Sequence, residues 1–264
     1  MLTRWFLLLA LGGSLIRPTS LYAQSADSAD VSASPAEPSS VSPVEAGAAI
    51  GVILIGTLAD KPIRDYLQRH RSEGKDDVAK IFKDMGEPDT YAPVPLGLIA
   101  VGLVSGDHRI TRAGGRITAG LITAGAITNL LKPMGRIRPK FADNAYQFTP
   151  LKGSYSWPSG HSAMAFALAT GISDEVNFLP LTVGLYGAAF ATGWSRMNDN
   201  RHWMTDAVGG MLIGVTSAKV MNGRWRFLGI SGPGFLQEPD RRRDGSPRAH
   251  LLMTPGQIGL SLDF

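Results

Sequence analysis

The sequence predicts an all-α protein, a helical bundle of about six core helices with a short β-hairpin at its C-terminus. Three observations lead there. Six stretches carry no charged residue: 46–59, 91–106, 117–131, 162–173, 178–195 and 207–218. They exceed ordinary strand length and lack the period-two alternation of a half-buried strand. Most hold Gly or Ala at close intervals and end in charge or proline. Most run 12 to 17 residues, short of the roughly 20 that a bilayer span needs, so they read as core helices.

Taken in order, the chain opens on a basic Met1–Arg4 and an apolar Trp5–Ile16, with small residues up to Ala23. That is the pattern of a signal peptide over 1–23, with an uncleaved anchor as the alternative. Residues 24–45, rich in Ser, Ala, Pro and acidic residues, read as a disordered linker. The helical domain then covers 46–222. Gly120, Ala124, Ala126, Gly209, Gly210 and Gly214 would let its helices approach closely. Residues 139–157 form a long loop without helical periodicity, and such loops are often functional. Residues 223–264 form a C-terminal extension. Within it Arg241–Arg243 reads as a solvated basic run. Ile258, Leu260, Leu262 and Phe264 alternate after the turn signal Pro255-Gly256.

Composition excludes several chemistries. The 264 residues include no cysteine, so disulfides, thiol catalysis and cysteine metal sites are out. The net charge of +4 suits an anionic substrate or an anionic membrane surface. Nothing interleaves aromatic and basic residues as a nucleic-acid groove does, so no nucleic-acid partner is expected.

Three segments carry the chemistry. In Ser195-Arg196-Met197-Asn198-Asp199-Asn200-Arg201-His202-Trp203-Met204-Thr205-Asp206, His202 and Asp206 are four apart, which on a helix puts them on one face. A carboxylate on one ring nitrogen fixes the tautomer and frees the other nitrogen as a nucleophile. A structural hydrogen bond or a metal pair would use the same two residues. In Trp157-Pro158-Ser159-Gly160-His161, Ser159 suits an N-cap and Gly160 permits close backbone approach. The free N–H groups of that first turn form an anion site, and His161 would stand beside the anion as a general acid. A merely capped helix explains the same letters. Lys132-Pro133-Met134-Gly135-Arg136-Ile137-Arg138-Pro139 gathers cations that bind phosphoryl oxygens, or that sit solvated at a helix end.

Together the three segments resemble the type 2 phosphatidic acid phosphatase (PAP2) superfamily, which includes bacterial class A acid phosphatases and vanadium haloperoxidases. The family pattern is a Lys before Arg-Pro, then Pro-Ser-Gly-His, then Ser-Arg, five residues, His, three residues, Asp. The resemblance covers roughly 46–222 and implies a PAP2/haloperoxidase-type helical fold. It implies a phosphatase of phosphate monoesters that works through a phosphohistidine, with no metal and no cofactor. His202 would take the phosphoryl group, Asp206 would orient it, and His161 would protonate the leaving group. Lys132, Arg138, Ser159, Gly160 and Arg196 would hold the phosphoryl oxygens. Arg136 matches a frequent Arg of the pattern. A vanadate-dependent haloperoxidase and a non-catalytic helical membrane or binding protein are the alternatives.

One position departs from the family, which places six residues between its Lys and Arg-Pro. Here five separate Lys132 from Arg138, and the expected position holds Leu131. On a regular helix that turns the side chain by about 100°. Pro133 is expected to push Lys132 out of the helical region and swing its ammonium back. The substrate is either a small phosphorylated molecule or a lipid phosphate. A mean hydropathy of +0.03 and the N-terminal signal favour an exported, periplasmic protein. A membrane protein with its site facing the periplasm is the alternative.

Overall fold

The computed structural model describes residues 38–153 and 155–237, and the backbone of two further strands at 248–254 and 257–263. The expected signal peptide, most of the expected linker, Arg241–Arg243 and the turn at 255–256 lie outside the described residues.

The architecture is all-α, as expected. A short β1 (Ser39–Val41) leads into α1 (Pro43–Arg69). Then come α2 (Glu73–Asp84), α3 (Pro88–Tyr91), α4 (Pro93–Ser105) and α5 (His108–Leu131). After the 139–157 loop follow α6 (Gly160–Val176), α7 (Leu179–Asn198) and α8 (Met204–Met221). Each of the six charge-free stretches is thus a helix. β2 (Trp225–Phe227) returns to pair in parallel with β1. β3 (Arg248–Thr254) and β4 (Gln257–Asp263) form the antiparallel C-terminal hairpin.

Two differences have physical reasons. The linker reading of 24–45 fails at its described end, where β1 forms and α1 begins at Pro43. Ser42 and Glu45 make a capping box there: Ser42 Oγ accepts from Glu45 N at 3.2 Å, and Glu45 Oε2 accepts from Ser42 N at 2.8 Å. Helix α2 lay outside the charge-free stretches because Lys and Asp interrupt its apolar stripe.

Helix α6 is the centre of the bundle. Its Ala163, Met164, Ala167 and Leu168 pack on Ile117, Leu121 and Ala124 of α5. Its Ala165, Phe166 and Ala169 pack on Ala189 of α7. Two glycines set how closely α8 approaches. A Cβ on Gly210 would lie 2.3 Å from Ser159 O, and one on Gly214 2.3 Å from Ala163 O. Ala126, expected at a helix contact, is exposed. The outer surface is apolar over much of α1, α4 and α7: Leu58 is 72% exposed, Val104 91% and Leu179 73%.

Candidate active site

The three motif segments meet where α5 ends, α6 begins and α7 turns into α8. Backbone hydrogen bonds tie them: Ser156 N donates to Arg136 O at 2.7 Å, Ser159 N to Asp206 O at 3.0 Å, and Lys140 N to Asn200 O at 3.2 Å. Trp203, almost wholly buried, donates from Nε1 to Ile137 O at 3.0 Å.

His202 and Asp206 come together, though not by stacking along one helix. His202 lies before α8, Trp203 is the N-cap, and Asp206 is the third residue of the helix. Asp206 Oδ2 reaches back to accept from Trp203 N at 2.8 Å, as acidic residues at that position do. The same oxygen lies 3.7 Å from His202 Nδ1. Ser156 Oγ, 3.5 Å from Nδ1, donates a short hydrogen bond to Asp206 Oδ2. His202 is buried, and that burial holds its pKa below the ordinary histidine value. Arg196 and Arg138 add to the shift, and Asp206 opposes it.

Arg136 is not part of an anion cradle. It is buried behind Asp206, donating from Nη1 to Asp206 Oδ1 at 2.6 Å and from Nη2 to Asp60 Oδ2 at 2.6 Å. Asp60, from α1, also accepts from the Thr205 amide at 2.9 Å and the Thr205 hydroxyl at 2.6 Å. A doubly paired guanidinium thus braces Asp206 against α1.

Ser159 caps α6 as expected, its Oγ accepting from Ser162 N at 3.4 Å. Gly160 opens the helix, and His161 follows with Nε2 3.0 Å from Glu87 Oε1. Arg196 pairs with Asp199 through Nη1 at 3.0 Å. Its Nε–H is buried with no hydrogen-bond partner among the described residues, so one donor of the fork is spare. Arg138 Nε points toward Tyr155 O at 3.5 Å. Its other two nitrogens make no hydrogen bond among the described residues.

Lys132 does not leave the helical region, which corrects the expectation drawn from Pro133. Its φ of −52° and ψ of −38° are right-handed helical. The chain instead tightens into a 3₁₀ turn over Lys132–Met134 and reverses at Gly135, with φ of 77°. A Cβ there would lie 2.3 Å from Thr149 O, so glycine is required twice over. The Lys132 ammonium feels the charges of two motif residues, Arg138 and Asp206. Burial, then the Arg138 charge, hold its ammonium below the usual lysine range, and Asp206 works in the opposite sense.

Sequence reasoning missed Asp60, Glu87, Ser156 and Thr205. Ser156 and Thr205 abut the motifs and were within reach of them. Asp60 and Glu87 come from α1 and the α2–α3 turn, and no spacing signals them.

Comparison with known proteins agrees with the motifs. The sequence model of the PAP2 superfamily matches residues 113–227. The lipid A 1-phosphatase of Porphyromonas gingivalis is 33% identical over 104 residues, 39% of this chain and 20% of that protein. The match therefore spans about a fifth of that relative's length. A transmembrane PAP2-type phosphatidylglycerolphosphate phosphatase from Bacillus subtilis shares the fold, with a TM-score of 0.53 and 22% identity. That match covers 67% of this chain and 94% of that structure. LpxE from Aquifex aeolicus aligns with a TM-score of 0.49 and 21% identity, over 61% of this chain and 93% of that one. The resemblance carried by the three motifs is the one these comparisons find: residues 113–227, with His202, His161 and the cationic loop inside them, match the PAP2 superfamily.

Proposed function

We propose that this chain is a phosphatase of phosphate monoesters, lipid phosphates foremost, acting through a phosphohistidine on His202 without a metal. The observation that carries this reading is the setting of His202. Asp206 and Ser156 occupy its Nδ1 side, which leaves Nε2 as the attacking atom. Burial keeps the imidazole neutral, and a neutral imidazole is the nucleophilic form.

The reaction has two steps. His202 Nε2 attacks phosphorus in line, the N–P bond forms, and the P–O bond to the leaving alcohol breaks as His161 protonates that oxygen. Water then attacks phosphorus while His161 takes its proton, and the N–P bond breaks to release phosphate. Negative charge on the equatorial oxygens is met by Arg138, Arg196, Lys132, the Ser159 hydroxyl and the Gly160 amide. Asp206 stabilises the charge that develops on His202.

A bilayer explains the outer surface. Helix α1 has 27 residues and is long and apolar enough to cross a membrane, at about 40 Å of rise. Contiguous exposed apolar surface on a water-soluble protein rarely exceeds a few hundred Å², yet α1, α4 and α7 all present large apolar side chains outward. The membrane alternative therefore replaces the soluble exported one, and a phosphorylated lipid reaches the site from the bilayer. The full chain in detergent should release phosphate from phosphatidic acid in mixed micelles, before and after EDTA treatment, and should pellet with membranes on fractionation. Activity lost to EDTA and restored by zinc would overturn the metal-free reading.

A further inference from the structure

We propose that Glu87 is a positioning residue for His161, accepting a hydrogen bond from Nε2 so that Nδ1 exchanges the proton with the leaving group and with water. The inference rests on the phosphatase reading above and adds a residue that lies outside the three motifs.

Three observations place Glu87 in this role. Its Oε1 lies 3.0 Å from His161 Nε2, and Nδ1 of the same ring has no hydrogen-bond partner among the described residues. The preceding Gly86 packs directly on the histidine: an added Cβ would lie 2.6 Å from His161 Cβ and 2.7 Å from its Cα. Helix α2, which leads into the turn that carries both residues, is anchored to α7. Thr192 Oγ1 of α7 donates to Phe82 O at 2.9 Å, and Asn198 Nδ2 donates to Asp76 Oδ1 at 2.8 Å.

The physical consequence follows from charge. A carboxylate on Nε2 fixes the tautomer and stabilises the imidazolium, which makes His161 a stronger base. Burial, then the Arg196 charge, push the His161 pKa down to about 4; Glu87 works against that shift, and His202 adds to it only when protonated. Lys83 and Arg196 are the cations nearest in effect to Glu87. The hydrogen bond to His161 is the main cause that holds the Glu87 carboxyl below the usual carboxylate range, so it is ionised at neutral pH. Glu87 thus opposes burial and the Arg196 charge, and raises the share of protonated His161 available to the departing alkoxide.

The test is the pH profile and leaving-group dependence of Glu87→Gln in the detergent-solubilised full chain. General acid–base assistance contributes about 10²–10⁴-fold, and a mistuned acid forfeits part of it. Turnover of an alkyl phosphate, phosphatidic acid, should fall about tenfold or more. Turnover of p-nitrophenyl phosphate, whose leaving group needs little protonation, should fall much less. The basic limb of the phosphatidic acid profile should move to lower pH. Gly86→Ala, which displaces the turn from His161, should shift the profile the same way. Glu87→Asp should restore part of the rate. An unchanged pH profile and an equal effect on both substrates in Glu87→Gln would overturn the proposal. Wild type without turnover of either substrate would instead overturn the phosphatase reading on which it rests.

Discussion

The site contains two histidine–carboxylate pairs built in opposite ways. His202 faces Asp206, which has no solvent exposure and is held by Trp203 N, Ser156 and Arg136, with Asp60 behind the arginine. His161 faces Glu87, whose side chain is 45% exposed and makes that one contact to the ring. The first pair lies wholly within the segment that matches the superfamily. The second takes its carboxylate from outside it. On the proposed mechanism, the difference follows from the two tasks. A nucleophile needs one tautomer and one line of attack through both steps, which a buried carboxylate held by several hydrogen bonds beside the ring favours. An acid–base group must exchange protons with substrate and water, which requires contact with the solvent side.

The buried pair should be the more sensitive. Asp206→Asn should lower kcat by about 10⁴-fold, as loss of the orienting carboxylate does in a comparable triad. Steady-state kinetics on phosphatidic acid would check it, and a drop no larger than that of Glu87→Gln would remove the contrast between the pairs. Lys132→Ala should reduce kcat/KM by about 10²–10³-fold, the usual cost of one preorganised charge contact. Lys132→Arg should restore little of it, because a planar fork does not replace a point charge. A silent Lys132→Ala would take the lysine out of the cradle.

Asp60→Asn probes the brace. Breaking a buried ion pair costs about 3–5 kcal/mol when one charge is left uncompensated. Here Asp206 still partners Arg136, so the loss in stability should be smaller, and kcat should fall while KM holds. Thermal unfolding together with kinetics separates the two effects. An unchanged kcat would mean that Arg136 holds Asp206 without help from α1.

The smallest expected effect is on pH dependence. His202 has a depressed pKa, so the folded protein binds fewer protons there than the unfolded chain does. Stability should therefore fall as pH drops below the ordinary histidine value of 6.5. The acid limb of kcat/KM should likewise lie below that value, because the neutral imidazole persists to lower pH. An acid limb above 6.5 would contradict the burial argument.

What could be read from the sequence follows from distance along the chain. Phosphoryl chemistry needs a cation loop, a helix start and a histidine with its carboxylate, and each of these is local, so their letters stand together. The six apolar helices were legible because burial in the bundle, or an apolar outer face as on α1, α4 and α7, leaves long runs without charge. Asp60 reaches Arg136 across 76 positions, and Glu87 reaches His161 across 74. A single acid at the end of an apolar stretch, or one in a charged turn, has no pattern to announce it. The spacing of His202 and Asp206 suits a helix, whereas α8 begins only after His202 and a capping contact brings the two together. Lys132 kept its helical backbone because the turn tightened into 3₁₀ geometry and Gly135, not Pro133, reversed the chain. Such local choices depend on the packing of Gly135 against Thr149, which the neighbouring letters do not specify.

The central claim is that phosphorus passes through His202. Wild-type protein, His202→Ala and His161→Ala should each be mixed with ³²P-labelled phosphatidic acid, quenched in alkali within the first turnovers and separated by mass. Wild type should carry label that survives alkali and is lost in acid, the signature of a phosphoramidate, and the labelled peptide should contain His202. His161→Ala should form the phosphoenzyme slowly and lose it more slowly still, because the same imidazole serves both steps. His202→Ala should carry none. Label on any other residue, or full turnover by His202→Ala with no trapped intermediate, would contradict the account.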